Sequence, residues 1–255
     1  MELNGRKVVM RALVGSHNYK LATKEMVHTK TGIVFPASDK DYKAYVLPTF
    51  EELYNQKMFQ DTIITPTEDV DAHDVRKMVD LFFKANLNYL EPLFSTELWF
   101  EGEEMQEIVK LRNQIFNMNL PKLFNALGGT FLQKMKLLPK GTEGTQFLVD
   151  LFGYDTKQAQ HAFRMLDFAV RYEATGFKDV EKALRYEDYA DNEFMLDIKT
   201  GFFTKENFER FVYFYHDSRF VHLKEKYHAQ PVNLELKEHL DSLVMKMVRK
   251  HIVGA

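Results

Sequence analysis

Asp39 and Asp41 stand two residues apart in the run Ser38-Asp39-Lys40-Asp41-Tyr42. On an extended strand, positions i and i+2 face the same side. Two carboxylates held that way repel each other unless a cation lies between them. Mg²⁺ takes a few carboxylate oxygens and fills its other positions with water and phosphate oxygens. The pair therefore suits a metal ion that carries a nucleoside triphosphate. Upstream lies Gly15-Ser16. A glycine lets backbone approach a phosphate, and a serine hydroxyl can donate to a phosphate oxygen. A third acid on a neighbouring strand would complete a site for in-line displacement at phosphorus. Glu68-Asp69-Val70-Asp71 offers Asp69 and Asp71 for that place. Taken alone, the same residues also read as an exposed strand end and a plain turn.

A second constellation is cationic. Lys157, His161, Arg164 and Arg171 fall on one narrow face if their stretch is helical, while Ala162, Met165, Leu166 and Ala169 make a separate apolar side. On a chain of net charge −3 a basic stripe stands out. It is a candidate for binding the phosphates of a nucleotide or nucleic acid. The bland alternative is a solvated face beside Asp167, with His161 a core histidine. His216, His222 and His228 lack helix-face spacing for a metal and read as scattered.

These residues need elements to hold them. Lys7 to Val14 is an apolar run, a short helix or strand, that ends in the Gly15-Ser16 turn. Asp41 to Leu47 alternates as a strand and stops at Pro48. Thr49 with Glu51 and Glu52 starts a short helix. The stretch from Asp61 to Asp71 supplies one or two more strands. Asp74 caps a helix with Val75, Met78, Val79, Phe82 and Phe83 on one face. Further helical patterns run over Glu103 to Met118, broken by Pro121; over Thr156, the expected cap, to about Ala174; and over Asp179 to Tyr189, Thr204 to Tyr215 and Leu234 to Ile252. Lys20 to Pro36 is polar, with Thr23, Thr29, Thr31 and Gly32 as breakers, and reads as a loop. The expected fold is α+β: a small mixed sheet with helices over 1–95, then a mainly helical region over 96–255, with a soft boundary.

At 255 residues and 45% hydrophobic composition, the chain can bury a substantial core. The absence of cysteine excludes disulfides and thiolate metal sites and fits a reducing, cytoplasmic setting. Met1 to Arg11 has no apolar signal core. No apolar run approaches the ~18 residues of a membrane span, so no membrane partner is expected.

The motif Gly15-Ser16-His17-Asn18-Tyr19, followed by Ser38-Asp39-Lys40-Asp41-Tyr42, resembles the signature of predicted nucleotidyltransferases related to the RNA-repair-ligase-associated polymerase, within the DNA polymerase β superfamily. The block from Asp74 to Ser95 is similar to that family's Leu-Arg-Lys helix and the Asn-Pro segment after it. Lys157 to Leu166 resembles its Lys-x-x-x-His-x-x-Arg helix, and Met195 to Phe208 its Ile-Lys-x-Gly turn. The four blocks occur in the family's order.

The resemblance implies a polymerase-β-like core followed by a helical region. It implies transfer of a nucleoside monophosphate from a nucleoside triphosphate to an acceptor hydroxyl, with Mg²⁺ or Mn²⁺ as cofactor. The acceptor would be an RNA or DNA 3′ end, in keeping with RNA repair, or a protein side chain. A non-catalytic nucleotide- or RNA-binding module on the same fold is the alternative. Carried over by position, Gly15 and Ser16 would contact the triphosphate. Asp39 and Asp41 would be metal ligands and catalytic, with Asp69 the better third acid and Asp71 its rival. Lys157, His161 and Arg164 would bind the nucleotide. The chain departs from the family in a longer connector between Ser16 and Asp39, in Lys20 where glycine is common, and in Leu87 after Asn86 where the family has proline.

Overall fold

The computed structural model describes residues 1–27, 32, 34–65, 68–142 and 144–254. Its strands are β1 (Glu2–Leu3), β2 (Arg6–Val14), β3 (Met26–Val27), β4 (Val34–Phe35), β5 (Lys40–Val46), β6 (Gln60–Ile64), β7 (Glu68–Asp74) and β8 (Leu98–Phe100), and helices occupy most of the remainder. The fold is α+β. The chain forms two compact units. One comprises Met1–Lys24, Ala37–Leu120 and the segment from Pro231 onward; the other comprises Glu25–Pro36 and Pro121–Gln230.

The first unit is built on a mixed sheet of order β1-β2-β5-β7-β6, with β8 also paired to β2. Only β5 and β7 run parallel; the other pairs are antiparallel. The run from Val8 to Val14 is a strand because it is flanked on both edges, by β5 on one side and by β1 and β8 on the other. Val8, Val9, Met10, Ala12 and Leu13 are all buried, as expected of a strand covered on both faces. One face packs Leu13, Tyr42, Ala44, Val46, Val70 and Ala72 into a core cluster with Val8, edged by Phe59 and Ile63. The alternate positions of β5 and β7 include Asp41, Asp69 and Asp71.

Thr49 makes the expected cap of the helix Phe50–Tyr54, and it is a full capping box: its side chain accepts from Glu52 N while Glu52 accepts from Thr49 N. Asp74 caps the turn Val75–Lys77 that leads into helix Met78–Phe83. Helix Leu234–Val253 buries Leu236, Leu240, Leu243, Val244 and Met247. Its Lys250 reaches Glu104 at 2.6 Å, and its His239 reaches Glu107 at 2.8 Å. Residues 96–120 and the C-terminal helix, which the sequence pattern groups with the helical region, thus belong to the sheet-bearing unit.

The second unit is helical. The helices of the Glu103–Met118 stretch end at Asn117, before Pro121, which lies in the first turn of the next helix, Leu120–Leu137, where a proline gives up no helical hydrogen bond. The long helix Thr156–Ala174 is capped by Asp155, whose side chain accepts from Gln158 N at 3.0 Å, one residue before the expected Thr156. In helix Lys205–Tyr215, Phe208 and Val212 are buried, whereas Phe214 is exposed.

The connector between Ser16 and Asp39 is more than a loop. Its base is closed by Ser38 N donating to Thr23 O at 2.9 Å and Thr23 N donating to Ser38 Oγ at 3.0 Å. Beyond that base, β3 and β4 pair as a short antiparallel ladder, and the segment counts with the helical unit. There the Phe35 ring lies 5.9 Å from Phe147 and 6.1 Å from Phe152. Residues 28–31 and 33, with the breakers Thr29 and Thr31, lie outside the described residues. Lys20 has a left-handed backbone, φ +65°, which is the conformation glycine adopts most readily. No helix among the described residues is long and apolar enough to cross a membrane.

Candidate functional site

Three acids meet at one end of the sheet. Ligand atoms of Asp39, Asp41 and Asp69 all lie within 4.8 Å of one another. Strand register explains the convergence. Asp41 stands directly beside Asp69 in the parallel β5–β7 pair, and Asp39 leads into β5 two residues earlier on the same side. Across the other edge of β5, Asp41 pairs with Val14, the last residue of β2. The turn Gly15–Asn18 therefore starts beside the acids. Asp39 is exposed, and Asp41 and Asp69 are partly buried, so solvent and ligand can reach all three. Clustered carboxylate oxygens of this kind are the hard donor set that Mg²⁺ and Mn²⁺ take.

Gly15 is required here on two counts. Its φ is +68°, and a Cβ on it would lie 2.5 Å from Asp41 Oδ2. Gly15→Ala is expected to lower stability by about 1–2 kcal/mol through left-handed backbone strain. It should weaken divalent-ion binding as well, because Asp41 must swing away from the added methyl. Urea denaturation and a Mn²⁺ titration read the two effects; unchanged Mn²⁺ affinity would show that Gly15 serves the turn alone.

The rest of the turn is tightly anchored. Asn18 is fully buried, and its Oδ1 accepts from Thr96 N at 3.1 Å. The Tyr19 hydroxyl donates to the buried Glu91. Arg76 holds Asp74 and the carbonyl of Lys57. His17 Nε2 lies 3.0 Å from Ser38 O, which ties the turn to the residue before Asp39.

Asp71, the rival third acid, has a different role. On the face that bears Asp69, it sits opposite Lys43 of β5. Its Oδ2 takes hydrogen bonds from Lys43 Nζ at 2.6 Å and His73 Nε2 at 2.9 Å. Burial works against ionising Asp71, but the His73 and Lys43 hydrogen bonds and the Lys43 charge outweigh it and bring the carboxyl down to about 2. The Lys43 ammonium also lies 4.5 Å from the centre of the Tyr89 ring. The acid face thus runs from an open carboxylate trio to a neutralised Lys43–Asp71–His73 group. Lys43 and His73 were absent from the sequence candidates. The period-2 continuation of Asp39-x-Asp41 to Lys43 was the available signal.

In the second unit, helix Thr156–Ala174 carries Lys157, His161 and Arg164. Lys157 is exposed, His161 partly buried and Arg164 buried. Arg171 does not join them. It donates to the carbonyls of Lys182 and Arg185 and lies over the Tyr186 ring, a structural role at the far end of the helix. Burial, followed by the charges of Arg164, Lys134, Lys157 and Lys199, pushes the His161 imidazole down to about 3.

No protein-family model matches the chain, and none of the curated proteins does.

Proposed function

We propose that this chain is a divalent-metal-dependent nucleotidyltransferase built on a polymerase-β-like core. The observation that carries the reading is the convergence of Asp39, Asp41 and Asp69 beside the Gly15 turn. That arrangement is what the four-block resemblance calls for, and the register that puts Asp69 beside Asp41 supports Asp69 as the third acid. Asp39, Asp41 and Asp69 would hold Mg²⁺ or Mn²⁺, which when bound would supply neutralisation of triphosphate oxygens and of charge at the α-phosphorus.

The chain's own groups do the rest. Gly15, lacking a side chain, leaves the approach to Asp41 clear. The Ser16 hydroxyl donates to a phosphate oxygen. One carboxylate of the trio takes the proton from the acceptor hydroxyl as its oxygen bonds to the α-phosphorus and pyrophosphate leaves. The acceptor is a nucleic-acid 3′ end, a choice that rests on the resemblance alone.

Incubation with Mg²⁺ or Mn²⁺ and each α-labelled triphosphate, with RNA, DNA and protein offered in turn, tests this. Label is expected on a nucleic-acid 3′ end. Label on protein would change the acceptor. Label on none, in either metal, would reduce the chain to a binding module.

A further inference from the structure

The phenylalanines of the second unit divide into a packed set and an open set. Phe163, Phe194 and Phe211 meet one another, with ring centroids 5.5 Å apart for Phe163 and Phe194 and 5.2 Å apart for each of these with Phe211. Phe203 stands edge-on to Phe194 at 5.6 Å. Tyr215, one turn beyond Phe211, packs against Phe163 at 5.0 Å and donates to Asp167 Oδ1 at 2.9 Å. These contacts hold Phe203 and Phe211 in place as a floor. Phe202 and Phe214 stay open, at 75% and 71% exposure, although the Phe202 ring lies only 5.4 Å from that of Phe203.

Phe203, Asn207, Arg210, Phe211 and Phe214 line a cleft of about 530 Å³. That volume is ordinary for a site that takes a small group. Three rings, one amide and one guanidinium make the lining, with no aliphatic side chain. A groove for an amphipathic helix is an apolar trough for a row of anchors. This cleft instead sets flat rings beside hydrogen-bonding groups. Asn207 is placed by the helix cap, its N donating to Thr204 Oγ1 at 3.3 Å. Its side chain meets Arg210, whose Nη2 donates to Asn207 Oδ1 over a long 3.4 Å. Arg210 forms no ion pair among the described residues, whereas its neighbours Lys205 and Glu209 lie 3.9 Å apart and balance each other. The cleft therefore carries a cation of its own beside aromatic faces and an amide that can donate and accept. An unpaired nucleobase with its phosphate is complementary to that set. Paired bases in a duplex hide their faces.

We infer that this cleft, extended by Phe202, binds consecutive unpaired bases of a single-stranded nucleic acid. Bases stack on Phe214 and Phe202, the Asn207 amide hydrogen-bonds a base edge, and Arg210 meets a phosphate of the strand. The ligand is a strand and not a free mononucleotide because more than one open ring is offered: Phe214 lines the cleft and Phe202 adjoins its floor through Phe203. That this strand is the acceptor rests on the proposed nucleotidyl transfer; the binding of unpaired bases does not.

The test measures fluorescence anisotropy of labelled RNA and DNA strands of about eight nucleotides, free of self-pairing, with the full chain in EDTA. Wild type is expected to bind them. Phe202→Ala with Phe214→Ala should weaken binding about tenfold or more and leave the thermal midpoint level, because both rings are open. Phe202→Tyr with Phe214→Tyr keeps the stacking faces and should bind as wild type does. Arg210→Met should lower the slope of log affinity against log salt by about 0.7, the share of one phosphate. Tyr54→Ala, which removes an exposed ring of the other unit, should bind as wild type does. No binding by wild type, or unaltered binding by the double alanine variant, overturns the site. Weaker binding together with a lower midpoint marks the rings as structural and also overturns it. A duplex of the same sequence binding as tightly overturns the unpaired base, and a mononucleotide competing as well as the strand overturns the strand. Dimers of wild type that the double alanine variant dissolves, seen by sedimentation, would assign the face to a second copy instead. Because metal is absent throughout, a failure here is distinct from a failure of nucleotidyl transfer, which is read by label on an acceptor.

Discussion

Asp69→Asn is expected to lower metal-dependent transfer at least a thousandfold and to leave the folded state as stable as wild type or slightly more so. The two halves of that result have one cause. With no cation present, Asp39, Asp41 and Asp69 repel one another across less than 4.8 Å. Asparagine keeps the shape and removes one charge, so folding gains on the order of a few tenths to 1 kcal/mol. The same change removes an anionic ligand from the candidate metal centre. A thousandfold loss corresponds to about 4 kcal/mol of transition-state stabilisation. Asp71→Asn is the matched comparison, because the sequence offers both acids. Asp71 is committed to Lys43 and His73, so its substitution should lower stability and spare transfer at temperatures where the variant is folded. Urea denaturation and label transfer from an α-labelled triphosphate measure the two quantities on each variant. Full transfer by Asp69→Asn, or loss of transfer by Asp71→Asn with its fold intact, would remove Asp69 from the third-acid position.

How far this site was legible in the sequence depends on which constraint sets each residue. The Asp39 and Asp41 pair is local, because a period of two on a strand puts both on one face whatever the tertiary structure. Gly15 is semi-local: glycine after an apolar run marks a turn, but that a methyl would strike Asp41 depends on β2 pairing with β5. The choice between Asp69 and Asp71 is non-local. Both point to the same side of β7, and only the register Asp41–Asp69 and Lys43–Asp71 separates them.

Non-local packing also hid the aromatic cleft. Phe208, Phe211 and Phe214 recur every three residues, a spacing that suits a core face. Only Phe163 and Phe194, from other helices, show that Phe211 is a floor and that Phe214 is left open. For the fold, strand-and-cap rules located β5, the Thr49 capping box and the C-terminal helix. They could not show that the C-terminal helix returns to the sheet-bearing unit, because its buried stripe would fit any apolar partner. The connector misled for the same reason. Phe35 docks against Phe147 and Phe152, more than a hundred residues away in sequence.

Lys43→Met is the substitution expected to move stability and metal affinity in opposite directions. The Lys43 side chain is 9% exposed and that of Asp71 35%. Removing the ammonium strands a partly buried carboxylate, which costs about 3–5 kcal/mol in a fully buried pair. The remaining exposure of Asp71 lets water recover some of that, so about 2–3 kcal/mol is expected here. Adding Asp71→Asn to Lys43→Met should restore part of the loss, since the second change removes the stranded charge, and a double-mutant cycle in urea reports the coupling.

The effect on the trio has the other sign. Asp71 follows Asp69 by two residues, so it lies roughly 7 Å along the strand. In wild type its charge is cancelled by Lys43. In the variant its full negative field reaches the trio, and at an effective dielectric between water and protein interior that is worth about 1 kcal/mol, or severalfold tighter Mn²⁺ binding. A Mn²⁺ titration at constant ionic strength checks this. Weaker Mn²⁺ binding in the folded variant would mean that Lys43 orders the carboxylates rather than balancing their charge, and the acid face would have to be read as one packed unit instead of a metal centre beside a neutral pair.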